Sequence, residues 1–159
     1  MRLFYLLYQQ RYGIQIMTIS DQINQYIASQ PAPKQADLVE LHRRIINLNP
    51  EAQLWFLDGK DESGKTVSNP NIGYGHLIMP LAGGKSREFY QVGISANQTG
   101  ISVYIMGLAD KTFLPRTLSD KIGKATVTGY CIKFKSLKDI DLAVLEEAVR
   151  VGFGLMELL

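Results

Sequence analysis

Apolar residues near the N-terminus recur at helical spacing and predict two consecutive helices. The first spans about residues 20–28, where Ser20 is placed to cap the free amides. Pro31 and Pro33 separate it from the second helix, which spans about residues 35–48. The second helix carries an apolar stripe made of Leu38, Leu41, Ile45 and Leu48.

From residue 52 onward the pattern changes to short apolar and aromatic runs, which favour β-strands. Trp55 lies in the first of these runs, and we expect its side chain to be largely buried. Glycines and polar residues connect the later runs, as is typical of hairpins in an antiparallel sheet. The predicted strands cover residues 53–57, 72–79, 89–95, 101–106 and 130–134.

Two further helices flank the last predicted strand. A short helix covers about residues 115–122, with Pro115 in its first turn and Gly123 after its end, and the final helix begins near Asp139. In the strand between them, alternation places Tyr130, Ile132 and Phe134 on one side, and Cys131, Lys133 and Lys135 on the other. The sequence therefore predicts an α+β fold: two N-terminal helices, a mainly antiparallel sheet of about five strands, a short helix and a C-terminal helix.

The composition fits one domain with a full hydrophobic core. The chain has 159 residues, of which 46% are hydrophobic and 20% charged, and this excludes general disorder. Residues 1–16 differ in composition and are expected to be an extension before Met17, with a single domain over residues 17–159. Cys131 has no partner for an internal disulfide, and no apolar run approaches the ~20 residues that span a bilayer. We expect a cytoplasmic protein.

Positive charge is concentrated in one stretch of the chain. The formal net charge is +2, but residues 111–138 contain seven Lys and Arg against Asp120 alone. A local field of this kind attracts anions, and a solvated basic face gives the same count. Nucleic-acid binding would need a denser stripe or a known motif, so no nucleic-acid partner is expected.

Several short motifs follow one another in a recognisable order. They are DLVEL at residues 37–41, IGYGH at 72–76, VGIS at 92–95, VYIMG at 103–107, IGK at 122–124, GYCIKF at 129–134 and LKDIDL at 137–142. Their order and spacing resemble the YdhG-like family, a bacterial domain of unknown function (number 1801), over roughly residues 20–150. The resemblance implies an antiparallel sheet packed against helices. It implies little about activity, although some relatives are regarded as frataxin-like iron chaperones.

The chain departs from this family pattern in two segments. Residues 77–80 are apolar, where the family is richer in Tyr and Lys, and residues 96–98 carry no charge, where the family often has Arg and Lys. Iron handling needs clustered carboxylates. The carboxylates of this chain are spread over several helices, and Asp139 and Asp141 are equally explained by helix capping.

No residue type stands in a recognisable catalytic arrangement. His42 and His76 lack partners at zinc-like spacing, and His42 is interpreted as a surface or boundary residue. Cys131 has no accompanying Cys–His–acid pattern and is interpreted as a structural thiol. We therefore predict no catalytic residue, no metal ligand and no cofactor, and an enzyme that uses His76 or Cys131 is the third and weakest alternative.

The sequence instead suggests a binding protein, with a small anionic ligand, a protein partner or a second copy of the chain as its partner. Gly73 and Gly75 flank Tyr74 and allow a close backbone approach, so Tyr74 and His76 are placed in a cleft. The simpler explanation is a strand bend with two packed rings. Lys124 and Lys133 are expected to face the same cleft, and frataxin-like iron handling is the alternative function.

Overall fold

The computed structural model describes residues 16–156, and this part of the chain forms four α-helices and eight strands. The prediction of an α+β fold is confirmed. The predicted extension at residues 1–16 lies outside the described residues except for Ile16. The helices are α1 Ile19–Ala28, α2 Ala32–Leu48, α3 Phe113–Leu118 and α4 Leu142–Gly152. The strands are β1 Leu54–Leu57, β2 Asn71–Tyr74, β3 Leu77–Pro80, β4 Ser86–Phe89, β5 Val92–Asn97, β6 Gly100–Ile105, β7 Ala125–Val127 and β8 Cys131–Phe134.

The two N-terminal helices begin earlier than the sequence predicts. Thr18, rather than Ser20, caps α1: its hydroxyl accepts from the Asp21 amide, and the Asp21 carboxylate accepts from the Thr18 amide. Helix α2 begins at Ala32 and includes Pro33 in its first turn, where the missing amide hydrogen costs nothing.

Six strands form one antiparallel sheet in the order β1-β2-β5-β6-β8-β7, and β3 and β4 form a separate hairpin. The single strand predicted over residues 72–79 is two strands, because Gly75 interrupts it with a φ of +84°. A Cβ on Gly75 would lie 2.2 Å from the Gln91 side-chain oxygen. The turn therefore depends on glycine.

The helices cover one face of the six-stranded sheet and enclose the core. Along each strand, every second side chain points towards the helices. The side chains between them point to the opposite face of the sheet, which we call the open face. The core residues contributed by the strands are Ile72, Tyr74, Val92, Ile94, Ala96, Ile101, Val103, Ile105, Ile132 and Phe134.

Aromatic side chains cover the half of the open face that β1, β2 and β5 form. The Tyr90 ring packs directly over Gly73 and Gly93, where an added Cβ would lie 2.4 Å from ring atoms at either position. Phe89 stacks on Tyr90 with ring centroids 4.1 Å apart, and Trp55 lies beside Phe89. The two glycines therefore make room for a ring on the sheet surface.

Two aromatic side chains are more exposed than the sequence predicts. Trp55 is only partly buried, because it lies on the open face of the edge strand β1; its indole nitrogen donates to the Gly75 carbonyl at 2.7 Å. Tyr130 does not join Ile132 and Phe134 in the core, because it precedes β8 and stays 54% exposed.

No helix within residues 16–156 combines the length and apolar character needed to cross a lipid bilayer.

Candidate functional site

A concavity of about 380 Å³ lies at one end of the open face and contains three lysine side chains. Lys133 projects from the middle of β8, between Ser102 on β6 and Thr126 on β7. Lys135 follows on the same face of the chain, and Lys124 precedes β7. We call this the lysine concavity; its other lining residues are Asn97, Thr99, Gly100, Ile101, Ala125, Thr126 and Phe134.

Two glycines bring the walls of the lysine concavity together. A Cβ on Gly100 would lie 2.1 Å from the Phe134 carbonyl oxygen, so the β5–β6 turn approaches β8 closely only with glycine. Gly123 has a φ of +96° and lies against Asp139. The Lys124 amide then donates to the Asp139 carbonyl at 3.0 Å, which fixes the start of β7.

The lysine concavity carries uncompensated positive charge. Lys124, Lys133 and Lys135 are exposed, and none of the ion pairs among residues 16–156 includes them. None of the lining residues is acidic. Three ammonium groups around one depression produce a local field that concentrates anions there.

A second, larger concavity of about 730 Å³ adjoins the first and shares Lys124 and Lys135 with it. Lys34 and Lys138 add further positive charge, whereas Asp37 and Asp139 supply negative charge. The Asp37 carboxylate is already engaged, since it accepts from the Leu137 amide at 3.1 Å and from the Ser136 hydroxyl at 3.2 Å. Of the two concavities, only the lysine concavity has no acidic residue in its lining.

Tyr74 does not line this concavity. Its side chain is fully buried on the helix-covered face of β2, opposite to the face from which Lys133 projects. The Tyr74 hydroxyl lies 2.6 Å from Nδ1 of His42 on α2. Burial raises the pKa of Tyr74 well above its usual value and lowers the pKa of His42. The pair is a core contact that joins the sheet to α2.

His76 also lies outside the lysine concavity. It follows the Gly75 turn, is exposed, and has its Nε2 3.6 Å from Oε1 of Glu88 on β4. The structure therefore brings Lys124 and Lys133 together, as the sequence suggests, and separates both from Tyr74 and His76.

Cys131 lies on the open face, two residues before Lys133, and its side chain is buried. Burial raises the pKa of the thiol, and the nearby Ser102 and Lys133 side chains only partly oppose this effect. The thiol stays protonated at neutral pH, so its environment does not activate it as a nucleophile.

Sequence reasoning identified neither the β5–β6 turn as part of the lysine concavity nor the hydrogen bond between His42 and Tyr74. The alternation of β8 already put Lys135 beside Lys133, but the role of the β5–β6 turn, with Asn97 and Thr99, depends on a long-range contact. His42 borders the apolar stripe of α2 and is half-buried, as a boundary residue should be, but its hydrogen bond to Tyr74, 32 residues away, has no local signal. In the part of the chain that the structure describes, no three His, Cys, Asp or Glu side chains are grouped as a metal site requires.

Comparison of the chain with models of protein families, with curated proteins and with solved structures found no match. The resemblance to the YdhG-like family therefore stays a prediction from the sequence motifs.

Proposed function

We propose that this chain is a non-enzymatic binding domain for a small anionic ligand, which it holds in the lysine concavity. One observation carries the proposal: Lys124, Lys133 and Lys135 line a single depression that has no acidic lining residue. A cytoplasmic location and membership of the YdhG-like family complete the proposal, and both rest on the sequence.

The chemistry of the lining favours a ligand with at least two negative charges. Each ammonium group offers three hydrogen-bond donors and a compact charge, which suits phosphate oxygens and carboxylates. The side chains of Asn97, Thr99 and Thr126 add neutral hydrogen-bonding groups at the rim. The lining contains no His, Cys, Asp or Glu side chain, which supports binding rather than catalysis.

The proposal is tested by calorimetric titration with inorganic triphosphate at low ionic strength. We expect saturable binding that weakens as salt is added, because salt screens exposed charges. Lys133→Gln and Lys124→Gln should each weaken binding by about three- to tenfold, the range for losing a partly screened charged hydrogen bond. Lys85→Gln is the matched control, because Lys85 is exposed but belongs to the hairpin region away from the concavity.

Two results would contradict the proposal that the lysine concavity binds an anion. One is the absence of saturable binding of triphosphate, and the other is equal weakening by Lys85→Gln and Lys133→Gln. An anaerobic titration with ferrous ion addresses the alternative of iron handling. Stoichiometric ferrous binding that is lost on changing Asp and Glu residues, without triphosphate binding, would favour the alternative.

A further inference from the structure

The open face continues beyond the lysine concavity to two tyrosines. In the pairing of β6 with β8, Ser102 lies opposite Lys133 and Tyr104 lies opposite Cys131. Tyr104 is therefore two residues further along the same face, about 7 Å from the row that contains Lys133. The ring of Tyr130 lies beside that of Tyr104, with centroids 6.4 Å apart and ring planes at 20°.

These two rings are not explained by the hydrophobic core. Tyr130 is 54% exposed and Tyr104 is partly exposed, on the face opposite the helices. The rings are nearly parallel and lie next to each other, and the exposed ring of Tyr130 offers a face against which a further flat ring can stack. An exposed aromatic pair next to an unpaired cluster of lysines indicates a ligand with both a flat ring and a negative charge.

We propose that the ligand is a nucleotide, with its phosphates in the lysine concavity and its base against Tyr104 and Tyr130. This inference rests on the proposed function and adds the chemical class of the ligand. Lysine ammonium groups bind phosphate oxygens, and aromatic side chains stack on any base because every base has a π-face.

The size of the free surface favours a single nucleotide over a nucleic-acid strand. On the other half of the open face, the Tyr90 ring is packed tightly over Gly73 and Gly93 and is only 4% exposed. That ring is part of the structure and offers little surface to a second base. Strand binding also uses a charged groove that tracks several phosphates, whereas here Asp37 and Asp139 interrupt the basic surface where it continues into the second concavity.

The test compares ATP with inorganic triphosphate, without added magnesium, by calorimetric titration of the full chain. Each probe carries a chain of three phosphates, and inorganic triphosphate can carry one more negative charge because neither end of its chain is esterified. Tighter binding of ATP therefore reports a favourable contribution of the nucleoside part. We expect ATP to bind at least about fivefold more tightly, since stacking of one base contributes that much or more. Tyr104→Leu should remove this preference and leave the affinity for inorganic triphosphate unchanged, while Tyr104→Phe, which keeps the ring, should retain it.

Tyr130→Ala provides a second variant that does not depend on the folding of Tyr104→Leu, because Tyr130 is exposed. It should also reduce the preference for ATP. Equal affinities for ATP and inorganic triphosphate would overturn this inference and leave the proposed function standing. Absence of binding by both probes would remove the proposed function as well. Much tighter binding of a short single-stranded oligonucleotide than of ATP would show that the ligand is a nucleic-acid strand and not a single nucleotide.

Discussion

Nδ1 of His42 and the hydroxyl of Tyr74 lie 2.6 Å apart and form a hydrogen bond between α2 and the inner face of the sheet. Their rings are also in contact, with centroids 5.6 Å apart. Tyr74 is fully buried, so its hydroxyl depends on this histidine for a partner. The glycines around Tyr74 do not open a cleft to solvent.

The His42–Tyr74 pair predicts how stability depends on pH. Burial lowers the pKa of His42 in the folded protein from its ordinary value of 6.5, so the unfolded chain binds the proton more readily. The free energy of unfolding should therefore fall as pH decreases below about 6.5 and level off below the folded-state pKa. Urea unfolding between pH 5 and pH 7.5 measures this dependence.

Two variants separate burial from hydrogen bonding in that experiment. His42→Gln should flatten the pH dependence over this range, since it removes the titrating ring. Tyr74→Phe should lower stability at every pH but keep the dependence, because burial is what shifts the pKa of His42. A pH dependence of unchanged size in His42→Gln would contradict the assignment.

Because the Tyr90 ring packs over Gly93, adding a single methyl group at Gly93 should lower the stability of the fold. Gly93→Ala places a Cβ 2.4 Å from the Tyr90 ring, so the ring must move. We expect a loss of about 1–3 kcal/mol in the free energy of unfolding, the usual cost of overpacking. Chemical denaturation of the variant measures it.

A double-mutant cycle identifies the origin of that loss. Gly93→Ala should cost much less in a Tyr90→Ala background, because the ring that the methyl group meets is then absent. Equal costs in both backgrounds would show that the ring does not set the requirement for glycine.

Because Trp55 is only partly buried, replacing it should lower the free energy of unfolding less than replacing a core aromatic residue does. Trp55→Phe removes the hydrogen bond to the Gly75 carbonyl and should lower the free energy of unfolding by about 1 kcal/mol. Trp55→Ala should cost less than the ~3–5 kcal/mol typical of fully buried aromatic residues. A loss of that full size, measured by urea unfolding, would show that Trp55 behaves as a core residue.

The order of helices and strands could be predicted because local patterns determine it. The stripe that includes Leu38 and Ile45 marks α2, and both residues are buried in the core. The three-residue strand β7 was missed, because its edge position is defined by pairing with β8 rather than by its own sequence. Gly75 was recognised as permissive, but not as the point at which one apolar run divides into two strands.

The candidate site was harder to predict because it is assembled by long-range contacts. Alternation along β8 put Lys133 on the side opposite Ile132 and Phe134, and the structure agrees. Nothing local indicates that Tyr74 is bonded to a helix 32 residues earlier, or that His76 follows a turn that leads into a separate hairpin. The glycines that flank Tyr74 suggested a cleft at Tyr74 and His76, but the fold brings neither residue to the lysine concavity.

The most direct test of anion binding in the lysine concavity is a map of backbone amide NMR shifts during titration with inorganic triphosphate. We expect the largest changes at Asn97, Thr99, Gly100, Thr126 and Lys133, which surround the concavity. The amides of Gly75 and His76 should change little, because they lie outside it. Changes centred on His76 and the β3–β4 hairpin, or no saturable changes at all, would show that the lysine concavity is not the anion site.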